Sequence, residues 1–204
     1  MDDRAGLLLE SDVDPDPLEQ FRRWYSEAEA AGIRAPHAMA LGTATTDGVP
    51  SVRMVLLKDV DDRGFVFYTG YVSRKAAELE ANPRASALFY WDPLGRQVRV
   101  EGRVERLSGE ESDLYFATRP RGAQLAASAS RQSAVLAGRA ELDARVAEIE
   151  RELGPADVPR PEHWGGYRLL PERYEFWQHR ADRLHDRLRY RRADGGWLIE
   201  RLSP

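Results

Sequence analysis

Arg53-Met-Val-Leu-Leu-Lys58, then Phe67-Tyr-Thr69, then Ser73-Arg-Lys75 is the stretch from which the rest of the chain can be read. The first two blocks read as adjacent β-strands and the third as the start of a helix. A helix N-terminus leaves N–H groups unpaired and carries the positive end of the dipole, so Ser73-Arg74-Lys75 reads as an anion cradle. With Arg53, Lys58 and Thr69 close by in sequence, the arrangement suits a phosphorylated ligand lying across a strand pair. Arg suits phosphate through two parallel hydrogen bonds, Lys as a point charge. Arg53 and Lys58 are an odd number of positions apart, so on a regular strand they face opposite sides of the sheet. A bulge, or a ligand wrapping the strand edge, is needed to bring both to one site.

Working outward, strands dominate from Met39 to Leu107. Met39 to Thr45, an Asp47-Gly48 turn and Ser51 to Lys58 form a hairpin. Asp61 to Gly64 turns the chain into Phe65 to Thr69, and a short helix spans Arg74 to Ala81. Ala85 to Trp91 and Arg96 to Leu107 form a second hairpin across Asp92-Pro93-Leu94-Gly95. Such a density of antiparallel strands predicts a small barrel. Before it, Asp16, Pro17 and Glu19 mark a helix start, and Leu18, Phe21, Trp24, Tyr25 and Ala28 recur at helical spacing up to Gly32. That stripe reads as core. After the barrel, Ser108 and Glu111 form a capping box for a helix to about Ala117, and Ser133 to Leu153 reads as a long helix with Ser133 as its cap. Tyr167 to Leu170, Tyr174 to Gln178, Leu188 to Arg192 and Trp197 to Leu202 read as further strands. Residues 1–15 read as a mobile acidic arm rather than a core element, and residues 16–204 as a single domain.

The chain has 204 residues, enough for a sizeable core, and a net charge of −4, which argues against a general nucleic-acid partner. It has no cysteine, which excludes disulfides and thiolate metal sites. No apolar run approaches a membrane span, and no signal-peptide pattern opens the chain, so a cytoplasmic location is expected. No histidine has metal-ligand spacing; His37, His163 and His179 read as structural or without a role, and His185 as the functional candidate.

The quoted blocks, with Arg96-Gln97, Arg131-Gln132-Ser133, Glu175-Phe-Trp177 and Arg183-Leu-His-Asp-Arg187, resemble the pyridoxamine 5′-phosphate oxidase family, in the family's order and from about Asp16 to Pro204. The resemblance implies an α+β, mainly β fold: an FMN-binding split β-barrel with flanking helices, assembled as a homodimer with shared active sites. It implies that Arg53, Met54, Val55, Leu56, Leu57 and Lys58 contact FMN, with Tyr68, Thr69, Arg74 and Lys75 around it. Gln97 matches a glutamine on the flavin ring. Gln132, Ser133, Trp177 and Arg187 are expected from the neighbouring chain. Lys58, Tyr115 and Arg119 match residues that grip the substrate phosphate. Arg183, Leu184 and His185 match the substrate-contacting triplet, with Arg183 and His185 as catalytic candidates. The implied reaction oxidises pyridoxamine or pyridoxine 5′-phosphate, with O2 as acceptor and hydrogen peroxide as product.

Taken without the family, Tyr115 and Arg119 are a packing pair four apart on a helix, and Gln97 is a polar residue on a sheet face. The six arginines between Arg180 and Arg192 also suit an RNA-binding strand or a solvated edge. Several positions depart from the family pattern. Ala123 stands where a phosphate-binding serine is usual. Ala126-Ala-Ser128 replaces Gly-Ala-Trp, His179-Arg-Ala-Asp182 replaces the usual glycine-rich run, and the N-terminal arm lacks an Arg-x-x-Tyr lid. A sister branch, the flavin oxidases of phenazine biosynthesis, acts on tricyclic substrates but tends to lose the lysine matching Lys58. A non-catalytic flavin or haem binder on the same barrel is the reading from another class. The triplet Arg183-Leu184-His185 argues against it, since a mere binder needs no substrate-side groups.

Overall fold

The computed structural model describes residues 6–204. Nine strands form one antiparallel sheet: β1 (Ala38–Ala44), β2 (Pro50–Leu56), β3 (Asp59–Asp61), β4 (Gly64–Gly70), β5 (Arg84–Trp91), β6 (Arg96–Arg106), β7 (Trp164–Gln178), β8 (Asp186–Ala193) and β9 (Gly196–Arg201). Their order is β2-β1-β5-β6-β7-β4-β3, with β8 and β9 branching from β7. Five helices flank the sheet: α1 (Pro17–Ala30), α2 (Arg74–Ala81), α3 (Gly109–Ala117), α4 (Arg121–Ala129) and α5 (Arg139–Leu153).

β7 explains the split in the barrel. It is one strand where the sequence suggests two, because β6 pairs with nearly its whole length, from Arg96↔Gln178 to Arg106↔Tyr167. Its other edge changes partner: Trp164 to Leu169 pair with β4, and Arg173 to Gln178 with β8. Pro171, which has no N–H to donate, sits between the two partners, and the β6 register shifts between Glu101 and Gly102. At that shift a Cβ on Gly102 would fall 1.9 Å from the Leu170 carbonyl oxygen, so only glycine fits.

The core is aromatic. Phe21 of α1 meets Phe65 and Phe89 with ring centroids 4.9 and 5.0 Å apart, and Trp24 meets Phe176 edge-on at 5.3 Å. The α1 stripe is thus core, and Asp16 caps the helix by accepting from the Leu18 N–H at 2.9 Å. Glu19 pairs with Arg22 instead of completing a box. Residues 6–15, expected outside the core, supply Leu8 and Val13 to it, both buried. Asp186 accepts from the Leu8 N–H at 3.2 Å, and burying these side chains offsets the cost of ordering the segment. The part of the expected arm at residues 1–5 lies outside the described residues. A second, smaller core joins Phe116, Leu125, Val158 and Trp164, and holds α3, α4 and α5 against the end of β4 and β7. Among the described residues, no helix is long and apolar enough to cross a membrane.

Candidate active site

The parity problem of Arg53 and Lys58 is solved by a change of pairing partner. β2 pairs with β1 up to Leu56, and the Leu57 N–H then donates to the His37 carbonyl at 2.8 Å. The Lys58 N–H donates instead to Val66 of β4 at 2.9 Å. The chain switches strands between these residues, so Lys58 no longer follows the alternation of β2. Arg53 and Lys58 line one cavity of about 580 Å³, together with Thr69, Arg74, Lys75, Gln132 and Ser133. Met54, Val55, Leu56 and Tyr68 line it as well, whereas Leu57 is buried in the core.

Lys75 is the most telling side chain here. It is 6% exposed, and among the described residues its Nζ donates only to neutral groups, Thr69 Oγ1 at 2.9 Å, Gln132 Oε1 at 3.2 Å and Ser73 Oγ at 3.4 Å. Burial first, and the Arg53 charge second, lower its pKa to about 8. A buried ammonium without a carboxylate partner suits a site that receives an anion. Ser73 caps α2 by accepting from Ala76, and Ser133 accepts from the Arg74 N–H at 3.2 Å.

Gln132 and Ser133 therefore line this cavity of their own chain. The carboxamide oxygen of Gln132 also accepts from the Gly70 N–H at 3.1 Å. Ser133 is not a helix cap: its φ is 71°, and α5 begins only at Arg139, after a turn in which Val135 is fully exposed. α4 fills much of the interval before it.

A second cavity of about 710 Å³ adjoins the first, sharing Leu56, Lys58, Tyr68, Thr69 and Gln132. Tyr115 and Arg119 reach it from α3 and its C-terminal turn, and Ala123 lines it from α4. Tyr68 and Tyr115 stack at 3.9 Å, and Trp164 continues the stack at 5.3 Å from Tyr68. Arg119 lies over Trp164, with Cζ 4.6 Å from the ring. Its Nη1 is buried with no hydrogen-bond partner among the described residues, and burial lowers its pKa. An orphaned guanidinium N–H is costly unless a ligand pairs with it. Sequence reasoning missed Trp164, which looks like a core residue and is one, yet also carries Arg119. Thr118 and Ser130 line the same cavity and bring hydroxyls where Ala123 has none.

Gln97, Trp177, Arg183, Leu184, His185 and Arg187 line neither cavity. They form a group of their own. Gln97 of β6 is in register with Trp177 of β7, which is in register with Arg187 of β8. Directly paired residues project from the same side of a sheet, so these three form one cross-strand row. Glu175, buried two positions before Trp177, accepts from Arg187 Nε at 2.8 Å and fixes that guanidinium. Tyr90 of β5 extends the row beside Gln97 and is exposed, a neighbour that sequence spacing does not reveal. His185 packs 4.5 Å from the Trp177 ring. The Arg180 backbone N–H donates to His185 Nδ1 at 3.0 Å, so that nitrogen is unprotonated and Nε2 carries the ring proton. Arg183, exposed, holds φ at 61°, a left-handed conformation uncommon for a residue with a Cβ.

Two adjoining chambers, one ending on the buried ammonium of Lys75 and the other on the half-buried guanidinium of Arg119, neither with an acidic partner among the described residues, define a split-barrel protein suited to anionic ligands. Comparison with known proteins narrows this. Residues 25–151 match the family described as pyridoxamine 5′-phosphate oxidase, and residues 164–204 match the pyridoxine 5′-phosphate oxidase C-terminal dimerisation region. A pyridoxine/pyridoxamine 5′-phosphate oxidase of Rubrobacter xylanophilus is 61% identical over 98% of this chain and 92% of its own length. One from Salinibacter ruber is 56% identical over 97% and 93%. Among solved structures, PhzG from Burkholderia lata, in complex with tetrahydrophenazine-1-carboxylic acid, superposes with a TM-score of 0.91 at 38% identity, over 97% of this chain and 98% of that one. The chain belongs to the pyridoxamine 5′-phosphate oxidase family.

Proposed function

We propose that the chain is an FMN-dependent oxidase converting pyridoxamine or pyridoxine 5′-phosphate to pyridoxal 5′-phosphate, with O2 as acceptor. The observation that carries this reading is the pair of chambers joined at Lys58, one ending on Lys75 and the other on Arg119. Two phosphorylated ligands side by side, a cofactor and a substrate, account for both. The buried ammonium of Lys75 with its neutral acceptors fits the FMN phosphate, and the unpaired Arg119 Nη1 fits that of the substrate. Curated relatives at 54–61% identity carry the oxidase name, against 38% for PhzG, which favours the vitamin B6 substrate over a tricyclic one.

Arg53, Arg74 and Lys75 would hold the FMN phosphate, and Lys58, Tyr115 and Arg119 that of the substrate. FMN bound there would supply the two-electron acceptor chemistry that the oxidation needs, with O2 as the final acceptor. Arg183 and His185 would face the substrate ring, His185 offering its Nε2–H as donor. Trp177, Arg183, His185 and Arg187 all lie within the stretch matching the family's dimerisation region, and none lines the chambers of its own chain. This supports a homodimer in which the row Gln97–Trp177–Arg187 and the His185 loop complete the partner's site.

Anaerobic mixing of the FMN-loaded protein with pyridoxamine 5′-phosphate tests the reading. Bleaching of the flavin absorbance is expected. A fully loaded protein that neither pyridoxamine nor pyridoxine phosphate reduces would contradict it, and reduction by a dihydrophenazine carboxylate alone would favour the sister branch.

A further inference from the structure

A carboxylate sits inside the cation cluster. Glu78, on α2 one turn after Arg74, is 4% exposed. Its Oε1 accepts from Arg74 Nε at 2.8 Å; its Oε2 accepts from Ser51 Oγ at 2.5 Å, from Thr43 Oγ1, and from Arg53 Nη2 at 3.3 Å. Arg53 is held from its other side, with Nη1 donating to the Leu41 carbonyl at 3.1 Å and Thr43 Oγ1 at 2.5 Å. One buried acid thus ties the helix bearing Arg74 and Lys75 to the edge hairpin bearing Arg53. By charge alone it is out of place, since it repels a bound dianion.

We propose that Glu78 is a positioning residue for the FMN phosphate, fixing the Arg53 and Arg74 guanidiniums in the orientation the phosphate meets. The inference rests on the reading that this chamber holds that phosphate. Positioning and simple charge balance predict opposite signs. If Glu78 only neutralised charge, its loss would tighten FMN binding. If it positions, its loss weakens binding although the site becomes more positive.

The test is flavin-fluorescence titration of flavin-free protein with FMN and with riboflavin, which lacks the phosphate. For Glu78→Gln, the FMN Kd rises about tenfold while the riboflavin Kd stays unchanged, since only phosphate contacts depend on the network. Ser51→Ala removes one of the two hydroxyls, Ser51 and Thr43, that accept from Arg53 and donate to Glu78, and gives a smaller loss with the same dependence on phosphate, a readout that stands if the buried Gln variant does not fold. FMN binding that is unchanged or tighter in these variants overturns the proposal, as does an equal loss for FMN and riboflavin. Lys75→Met separates the two levels. If it also leaves FMN affinity intact, the chamber does not hold the phosphate; if it weakens FMN binding while the Glu78 and Ser51 variants do not, Glu78 alone has been misread.

Discussion

At the scale of single residues, Lys75 makes the site sensitive to pH. In the proposed site the phosphate dianion of FMN favours the ammonium and raises the Lys75 pKa above about 8. As pH climbs through 8, binding must therefore take up a proton, and FMN affinity falls by up to about tenfold per pH unit. The flavin-free chain behaves oppositely. Unfolded, Lys75 keeps its proton up to its ordinary 10.5, while the folded chain releases it near 8, so stability rises with pH between those values. Lys75→Met removes both slopes, raises the melting temperature of the flavin-free protein and weakens FMN binding. Fluorescence titrations and melting curves on either side of pH 8 check each sign. Arg183→Leu separates the other half of the site: flavin content stays near normal while flavin reduction in stopped flow slows strongly. The convergence of Arg53, Arg74 and Lys75 was legible, because Ser, Arg and Lys at a helix start beside a strand pair read as one cluster. The contact of Gln132 and Ser133 with the start of α2 was not, because a contact between distant parts of the chain leaves no local pattern. Nor was Glu78, which looks like any solvated helix acid until Arg53 and Arg74 close on it.

At the scale of elements, caps and apolar stripes carried most of the information. The Ser108–Glu111 box forms as expected, Ser108 Oγ accepting from the Glu111 N–H at 3.0 Å and Glu111 from the Ser108 N–H at 3.0 Å. α3 carries Tyr115 into the second chamber, the proposed substrate site, and loss of its cap in Ser108→Ala should cost about 1 kcal/mol of stability in denaturant titration. It should also raise the KM for the phosphorylated substrate more than it lowers kcat, since phosphate is gripped in ground and transition states alike. The long helix starts at Arg139, not Ser133, since Val135 and Leu136, which fit a helical stripe, belong to the turn that brings Ser133 over α2. The short pairing of β3 with β4 and the unbroken run of β7 were also hidden. Pro171 looks like a strand break in sequence, and only the change of neighbour from β4 to β8 lets the strand pass through it.

At the scale of the whole molecule, the proposed dimer has each chain contribute two halves to different sites. Strand β2 exposes Val52, Met54 and Leu56 along the edge next to the first chamber, at 71%, 63% and 41%. An apolar edge of this kind calls for cover, which a second copy supplies in the proposed dimer. The halves are separately legible as motifs, but the alignment of Gln97, Trp177 and Arg187 in one row follows only from the register of β6, β7 and β8. Co-expression of two impaired chains tests this most directly. One carries Lys75→Met and Arg119→Ala, the other Arg183→Leu and His185→Ala, and each alone forms dimers with no sound site. If the halves belong to different copies, every mixed dimer holds one intact site, and pyridoxamine phosphate oxidation returns to about a quarter of the wild-type rate in a random mixture. If both halves act within one chain, every site in the mixture stays impaired, and no recovery of activity would contradict the account.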